Sequence, residues 1–366
     1  MRDKLQYVTT ERVDKTGATY RLLIGQRSNG KTFAALQKAL EDFTKTGRPF
    51  AYIRRWDVDI RGAKGEGVLR GHVNKGIISS LTKGEYDGIV YRSRAWYFCK
   101  TDGDGKTKIT APEPCGYAFA INEQEHEKSL SYPVHTIIFD EFLARDGYLV
   151  DEFVLYMNLL STLIREREDP VIYMLGNTIN KYCPYFREMG LTGVRDMVPG
   201  DLKVYKYGDS RLTVAIQFTD ALSRHGKPSD FYFAFDNPRL KMITTGEWEL
   251  SIYPHCPDKL KPQDVVFSYF ILFENDLLQA DIINIDGRKY TFIHQKTTPL
   301  KYPDNDLIYC PEYSTKPNWR RKINVAGSDV ERKIWNYFVL DKVVYQDNTV
   351  GEVVRNYLQF CGVILK

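Results

Sequence analysis

The sequence has no C-x-x-C pair, no long apolar run and little excess charge. Its six cysteines, Cys99, Cys115, Cys183, Cys256, Cys310 and Cys361, are scattered along the chain. That pattern excludes a zinc ribbon or a disulfide framework and fits reduced thiols in a cytoplasm. His255 beside Cys256 lacks a second pair at ligand spacing and reads as a surface loop. The longest apolar run, VVFSYFILF at residues 265–273, is far short of the ~20 residues that span a membrane. MRDKLQYVTTERVDK at the start lacks an apolar signal core, so neither membrane insertion nor export is expected. A net charge of +4 permits a nucleic-acid partner without demanding one. What remains is a globular composition, with 366 residues enough for one large or two ordinary domains.

Chemistry is concentrated in GQRSNGKT, residues 25–32. TYRLLIG before it has the β-rich apolar character of a buried strand. KTFAALQKALEDFTKTG after it places Phe33, Leu36, Ala39, Leu40 and Phe43 at helical spacing, with Gly47 just past the helix end. Strand, glycine loop and helix N-terminus in that order suit phosphate binding. Main-chain N–H groups of Gly25, Gln26, Arg27, Ser28, Asn29 and Gly30 and the positive end of the helix dipole would cradle the phosphates of ATP. Lys31 would reach the β and γ phosphates, and Thr32 would ligate Mg²⁺.

Hydrolysis also needs a carboxylate near the metal and a group that orients water. PVHTIIFDEF, residues 133–142, ends a strand in Asp140, for the Mg²⁺ shell, and Glu141, to polarise the water. An acid at the end of a buried strand is costly unless a cation or donors meet it there. A helix over 151–168 follows, closed by Asp169-Pro170, and PVIYMLGNTI then reads as a strand that delivers Asn177 to the γ-phosphate or the water. PFAYIRRW at 49–56 is a further strand. GIVYRSRAWYFCK and KTKITAPEPCGYAFAIN read as an inserted hairpin turning at Asp102-Gly103-Asp104-Gly105. That turn lacks the following acids of a calcium loop.

Texture changes after residue 205. YGDSRLTVAIQFTDALSRHGKPSD, residues 207–230, mixes charge, Gly, Ser and Pro as a connection does. DFYFAFD, EWELSIY, DVVFSYFILFE, LLQADIINID and KYTFIHQ then read as short strands, with Asp286-Gly287 a hairpin signal, followed by helices at about 328–342 and 349–361. The expected organisation is an α/β parallel-sheet domain over 1–206, a linker over 207–230 and a smaller α+β domain over 231–366.

Taken together, GQRSNGKT, FAYIRRW, IIFDEF, LLSTLIRERE, LGNTINKYCPYF and NYFVLDKVVYQDNTVGEVVRNYL resemble the DNA-packaging (encapsidation) ATPases of small short-tailed phages with protein-primed linear genomes. The resemblance implies a P-loop NTPase domain of the additional-strand, catalytic-glutamate type, followed by an RNase H-like domain that has lost its nuclease acids. It also implies a pentameric ring in the host cytoplasm, docked at the portal of a procapsid and driving double-stranded DNA inward, tethered in some members by a packaging RNA. By the same resemblance Lys31 and Glu141 are catalytic, Arg165 is an arginine finger reaching the neighbouring site, and Arg27 acts in cis. Arg167 lies about 200° from Arg165 around a helix, so the two cannot face one phosphate. Trp56-Asp57 stands where related motors carry a lysine, and no interface role follows there.

RGAKGEGVLRGHVNKG, with Arg61, Lys64, Arg70 and Lys75, and KPNWRRK, with Arg320, Arg321 and Lys322, are candidate phosphate-backbone contacts for DNA. Two other classes stay open. A terminase large subunit with a live nuclease would need three or four converging acids in the second domain, where Glu274, Asp281 and Asp286 are the candidates. A non-motor nucleotide-binding module would need neither Glu141 nor Arg165.

Overall fold

A computed structural model describes residues 7–102, 108–123, 132–144, 147–178, 182–219, 253–256, 262–285 and 287–363. The chain forms two compact units, residues 1–249 and 250–366.

In the first unit the strands, in chain order, are β1 Tyr20–Gly25, β2 Phe50–Arg54, β3 Gly88–Arg92, β4 Ala95–Thr101, β5 Lys108–Thr110, β6 Gly116–Ala120, β7 Thr136–Asp140, β8 Val171–Asn177, β9 Leu202–Lys206 and β10 Thr213–Phe218. They make one ten-stranded sheet in the order β3-β4-β6-β2-β7-β8-β1-β10-β9, with β5 paired to β4. From β6 to β10 the neighbours run parallel. The apolar runs fit this, because a parallel sheet covered on both faces needs side chains buried on both. Leu22 and Ile24 of β1 face one core and Leu23 the other. On Leu23's side lies α2 (Lys31–Thr46) through Ala35, Leu36, Ala39 and Leu40. On the opposite side lies α6 (Glu152–Ile164) through Tyr156, Leu159, Leu160 and Leu163. Truncating any one of these leucines to alanine would cost about 2–5 kcal/mol.

Helix α2 ends as expected, with Gly47 left-handed at φ 70°. Three other expectations change. The run 88–101 is a hairpin by itself, turning at Ser93 and Arg94, both left-handed. Its partner run divides into β5, on β4, and β6, which joins the parallel strands on β2. Residues 103–105 of the expected turn lie outside the described residues. Helix α6 stops at Ile164, four residues early, because Arg165 is left-handed at φ 50° and Arg167 donates to the carbonyls of Leu163 and Ile164. Finally, the sheet does not end at residue 206. TVAIQF of the expected linker is β10, hydrogen-bonded beside β1, so the first unit runs on past that position. Residues 220–230 lie outside the described residues.

The glycine-rich stretch after residue 61 is not an open loop. It forms three short helices, α3 Gly62–Gly67, α4 Arg70–Asn74 and α5 Ile77–Leu81. Arg61 pairs with Asp57 and Glu123, and Lys64 with Asp59. Lys75 lies over the rings of Tyr7 and Phe33.

The second unit holds a six-stranded sheet of β11 Val265–Phe273, β12 Asp276–Ile285, β13 Arg288–Gln295, β14 Ile308–Tyr309, β15 Trp319–Arg320 and β16 Val343–Tyr345. Their order is β15-β14-β11-β12-β13-β16. β11, β12 and β13 form an antiparallel meander, and β14 runs parallel to β11. Helices α8 (Asp329–Val339) and α9 (Asn348–Phe360) follow, near the expected positions. Each has a side-chain cap, Ser328 accepting from the Glu331 N–H and Asp347 from that of Val350. The expected strand DFYFAFD lies outside the described residues, as does all of EWELSIY except Tyr253. Among the described residues no helix is long and apolar enough to cross a membrane.

Candidate active site

Gly25 closes β1 and must be glycine. A Cβ there would lie 2.1 Å from the Thr219 hydroxyl oxygen. Thr219, just past β10, donates to the Ile24 carbonyl at 3.0 Å and accepts from the Asn29 amide at 2.8 Å, fixing the loop's inner wall. Gly30 turns the loop into α2 at φ 96°, and Arg27 and Ser28 are exposed on its outer side.

Lys31 is only 5% exposed. Its ammonium folds back on acceptors alone, the carbonyls of Gly25 (3.1 Å) and Gln26 (2.7 Å), Asn29 Oδ1 (3.1 Å) and Asn177 Oδ1 (3.2 Å). Burial lowers its pKa to about 7, against the partial restoring pull of Asp140. Thr32, one residue on, donates to Asp140 Oδ1 at 3.0 Å, joining the start of α2 to the end of β7. Burial pushes the Asp140 carboxyl up, and the Arg54 guanidinium and the Tyr52 hydroxyl, which donates at 2.8 Å, oppose that. Glu141 follows with its backbone left-handed at φ 60°. Arg54, at the end of β2, donates to Glu141 Oε2 at 2.6 Å and lies 3.8 Å from Asp140.

A cavity of about 240 Å³ is lined by Ser28, Asn29, Gly30, Lys31, Thr32, Asp140, Glu141 and Asn177, among others. Loop, acids and amide, separate in sequence, therefore meet. A hydroxyl and a carboxylate side by side are hard oxygen donors of the kind Mg²⁺ takes. Arg165 is not among the lining residues and is exposed at the end of α6. Arg167 is half-buried, donating to the carbonyls of Tyr132 and Val134 as well as to its own helix end.

Sequence reasoning missed Tyr52, Arg54 and Thr219. The tandem arginines closing a strand were the available signal, since a cation at a strand's carboxyl end has to be met by acids from a neighbour.

In the second unit Asp281 is held by Ser268 (2.6 Å), Gln279 (3.0 Å) and His294 (3.0 Å). Glu274 sits in the β11–β12 turn, beyond the Phe273–Asp276 pair, which itself lies five residues along the ladder from Ser268 and Asp281, or about 17 Å. Asp286 lies outside the described residues. Among the described residues no group of three or more His, Cys, Asp or Glu could hold a metal ion. Arg320 pairs with Glu331, and Arg321 donates to the Pro311 carbonyl.

Residues 100–217 match the family model of the Podovirus DNA encapsidation protein (Gp16). The chain is 32% identical over 173 residues to a DNA packaging protein of Bacillus phage B103, which is 46% of this chain and 47% of that one. To the DNA packaging protein of Bacillus phage phi29 it is 28% identical over 188 residues, half of each chain. The chain thus spans about half the length of the curated relatives it matches. The solved bacteriophage Phi-29 viral genome packaging motor assembly superposes with TM-score 0.56 over 97% of this chain and 99% of that one, at 19% identity. The Phi-28 gp11 DNA packaging motor gives 0.54 over 99% and 100%, at 18% identity. The shared fold is that of packaging-motor subunits. Over its matched region the chain is thus similar to the Podovirus DNA encapsidation family, the resemblance its motifs implied.

Proposed function

We propose that this chain is an ATPase that drives double-stranded DNA into a procapsid through the portal, as one member of a ring. The observation that carries the reading is the convergence of Lys31, Thr32, Asp140, Glu141 and Asn177 on one cavity at the carboxyl ends of β1, β7 and β8. Insertion of β8 between β1 and β7 supports an additional-strand P-loop domain. In the second unit, a meander extended on its first strand's side by two parallel strands supports an RNase H-like domain.

The main-chain groups of residues 25–30 and the Lys31 ammonium bind and orient the triphosphate. Thr32 and Asp140 would hold Mg²⁺, which when bound neutralises charge on the β and γ oxygens. Glu141 holds the attacking water and draws off its proton, for which it must leave Arg54. Arg165 of the adjacent subunit meets the charge developing on the γ-phosphate. A pentameric ring at the portal and the host cytoplasm as its setting belong to the same proposal, as does an RNA tether.

The test is Mg²⁺-dependent ATP turnover by the purified chain, stimulated by double-stranded DNA and procapsids, with DNA becoming resistant to added nuclease. No turnover with all components present counts against the motor. A live nuclease has less support, since Asp281 is occupied by three protein donors. Metal-dependent cutting of plasmid would revive it.

A further inference from the structure

Arg55, next to Arg54, is 7% exposed and makes contacts of two kinds. Its Nε and Nη2 donate to the Glu152 carboxylate at 2.7 and 2.9 Å. Its Nη1 and Nη2 also donate to the main-chain carbonyls of Glu141 (3.1 Å) and Phe142 (2.8 Å). Glu152, the first residue of α6, is itself 2% exposed and is gripped by the Tyr185 hydroxyl and the Leu149 N–H, each at 2.8 Å.

Stability alone does not explain this arrangement. The desolvation of a buried ion pair can cancel its attraction, and an apolar pair of equal volume packs as well or better. An apolar pair cannot, however, donate to the carbonyls of Glu141 and Phe142, the two peptide links that follow the Glu141 Cα. Glu141 needs such a hold, because its left-handed backbone (φ 60°) is uphill for a residue with a Cβ. The carboxylate's direction is set by that backbone.

We propose that Arg55 is a positioning residue for ATP hydrolysis. It fixes the left-handed turn at Glu141, and so the aim of that carboxylate, against the anchored start of α6. The proposal rests on the assignment of Glu141 as the residue that activates water.

Arg55→Lys keeps a cation for Glu152 but removes the fork that reaches three acceptor groups at once. Its kcat is expected to fall about a hundredfold, with KM for ATP within about threefold of the parent, which is what a misplacement of ~1 Å costs. Arg21→Lys is the control. Arg21 holds Asp14 at 2.7 Å and Tyr173 at 3.0 Å at the other end of β1, so its loss lowers the melting temperature and leaves kcat alone. Should the lysine variant not fold, Glu152→Gln, which unanchors Arg55 while keeping an acceptor for Tyr185, is expected to lower kcat about tenfold with KM held. A parental kcat in either folded variant overturns this proposal only. Absence of turnover in the parent overturns the ATPase reading with it.

Discussion

The Arg54 guanidinium grips Glu141 at 2.6 Å while standing 3.8 Å from Asp140, so one cation serves both acids at the end of the central strand. Only one of the two acids depends on it strongly. Glu141 has a half-exposed side chain, and an exposed ion pair adds little. Asp140 is 7% exposed, and burial already pushes its carboxyl up. Arg54→Gln is therefore expected to retain ATP binding and to lower kcat by about 10–100-fold, since the buried Asp140 loses its permanent counter-charge. Steady-state kinetics at saturating Mg²⁺ check this. A parental kcat would make Arg54 a surface ion pair of no catalytic weight.

Lys31 and Glu141 fail for different reasons when replaced. Lys31→Ala removes the ammonium that now satisfies four acceptors, so ATP affinity falls along with turnover. Glu141→Gln keeps shape and hydrogen bonding but not basicity, so ATP binds and stays unhydrolysed, with turnover down ~10²-fold or more. Nucleotide titration beside turnover separates the two. Normal hydrolysis by Glu141→Gln would remove Glu141 from its role.

The glycine loop and the acid-tipped strand are legible because each is a contiguous peptide whose chemistry is local. Arg54, Tyr52 and Thr219 are not, since they act across the sheet on partners far away in the chain, and strand order decides which ends meet. β10 escapes for another reason. TVAIQF is a buried run bounded by charge, Gly and Ser, and composition averaged over 207–230 hides it. The helix end at Ile164 is set by Arg167 seeking carbonyls, which periodicity does not register.

Burial of Lys31 makes a pH prediction with a definite sign. Its pKa in the folded chain, about 7, lies below the ordinary lysine value, because burial disfavours the charged form. Without nucleotide the fold therefore becomes more stable as pH rises from about 7 toward the lysine range, where the unfolded chain binds the extra proton. A triphosphate beside the ammonium reverses the cause and raises the pKa again. Binding ATP at pH 8 is thus expected to take up close to one proton, and at pH 6 very little from this group. Titration calorimetry in buffers of different ionisation enthalpy measures the uptake. It should vanish in Lys31→Met, and equal uptake at both pH values in the parent would contradict the assignment.

Arg165 is expected to work in trans. It is exposed just past α6 and is not among the residues lining its own chain's cavity, and Arg167 donates to the carbonyls of Tyr132, Val134, Leu163 and Ile164. Arg165→Ala should therefore bind ATP normally and lose most hydrolysis, by ~10³-fold if the finger carries the weight it does in other phosphoryl-transfer enzymes. Lys31→Ala has a dead site but an intact finger. Mixing the two mutants creates interfaces that pair a working site with a working arginine, which neither mutant forms alone. Titrating one into the other at fixed total protein, under conditions where rings assemble, should give turnover that rises and falls with the mixing ratio. A flat response in rings shown to contain both chains would remove the trans role from Arg165. Suspicion would then move to Arg27, exposed on the loop beside Lys31 and able to reach phosphate within its own subunit.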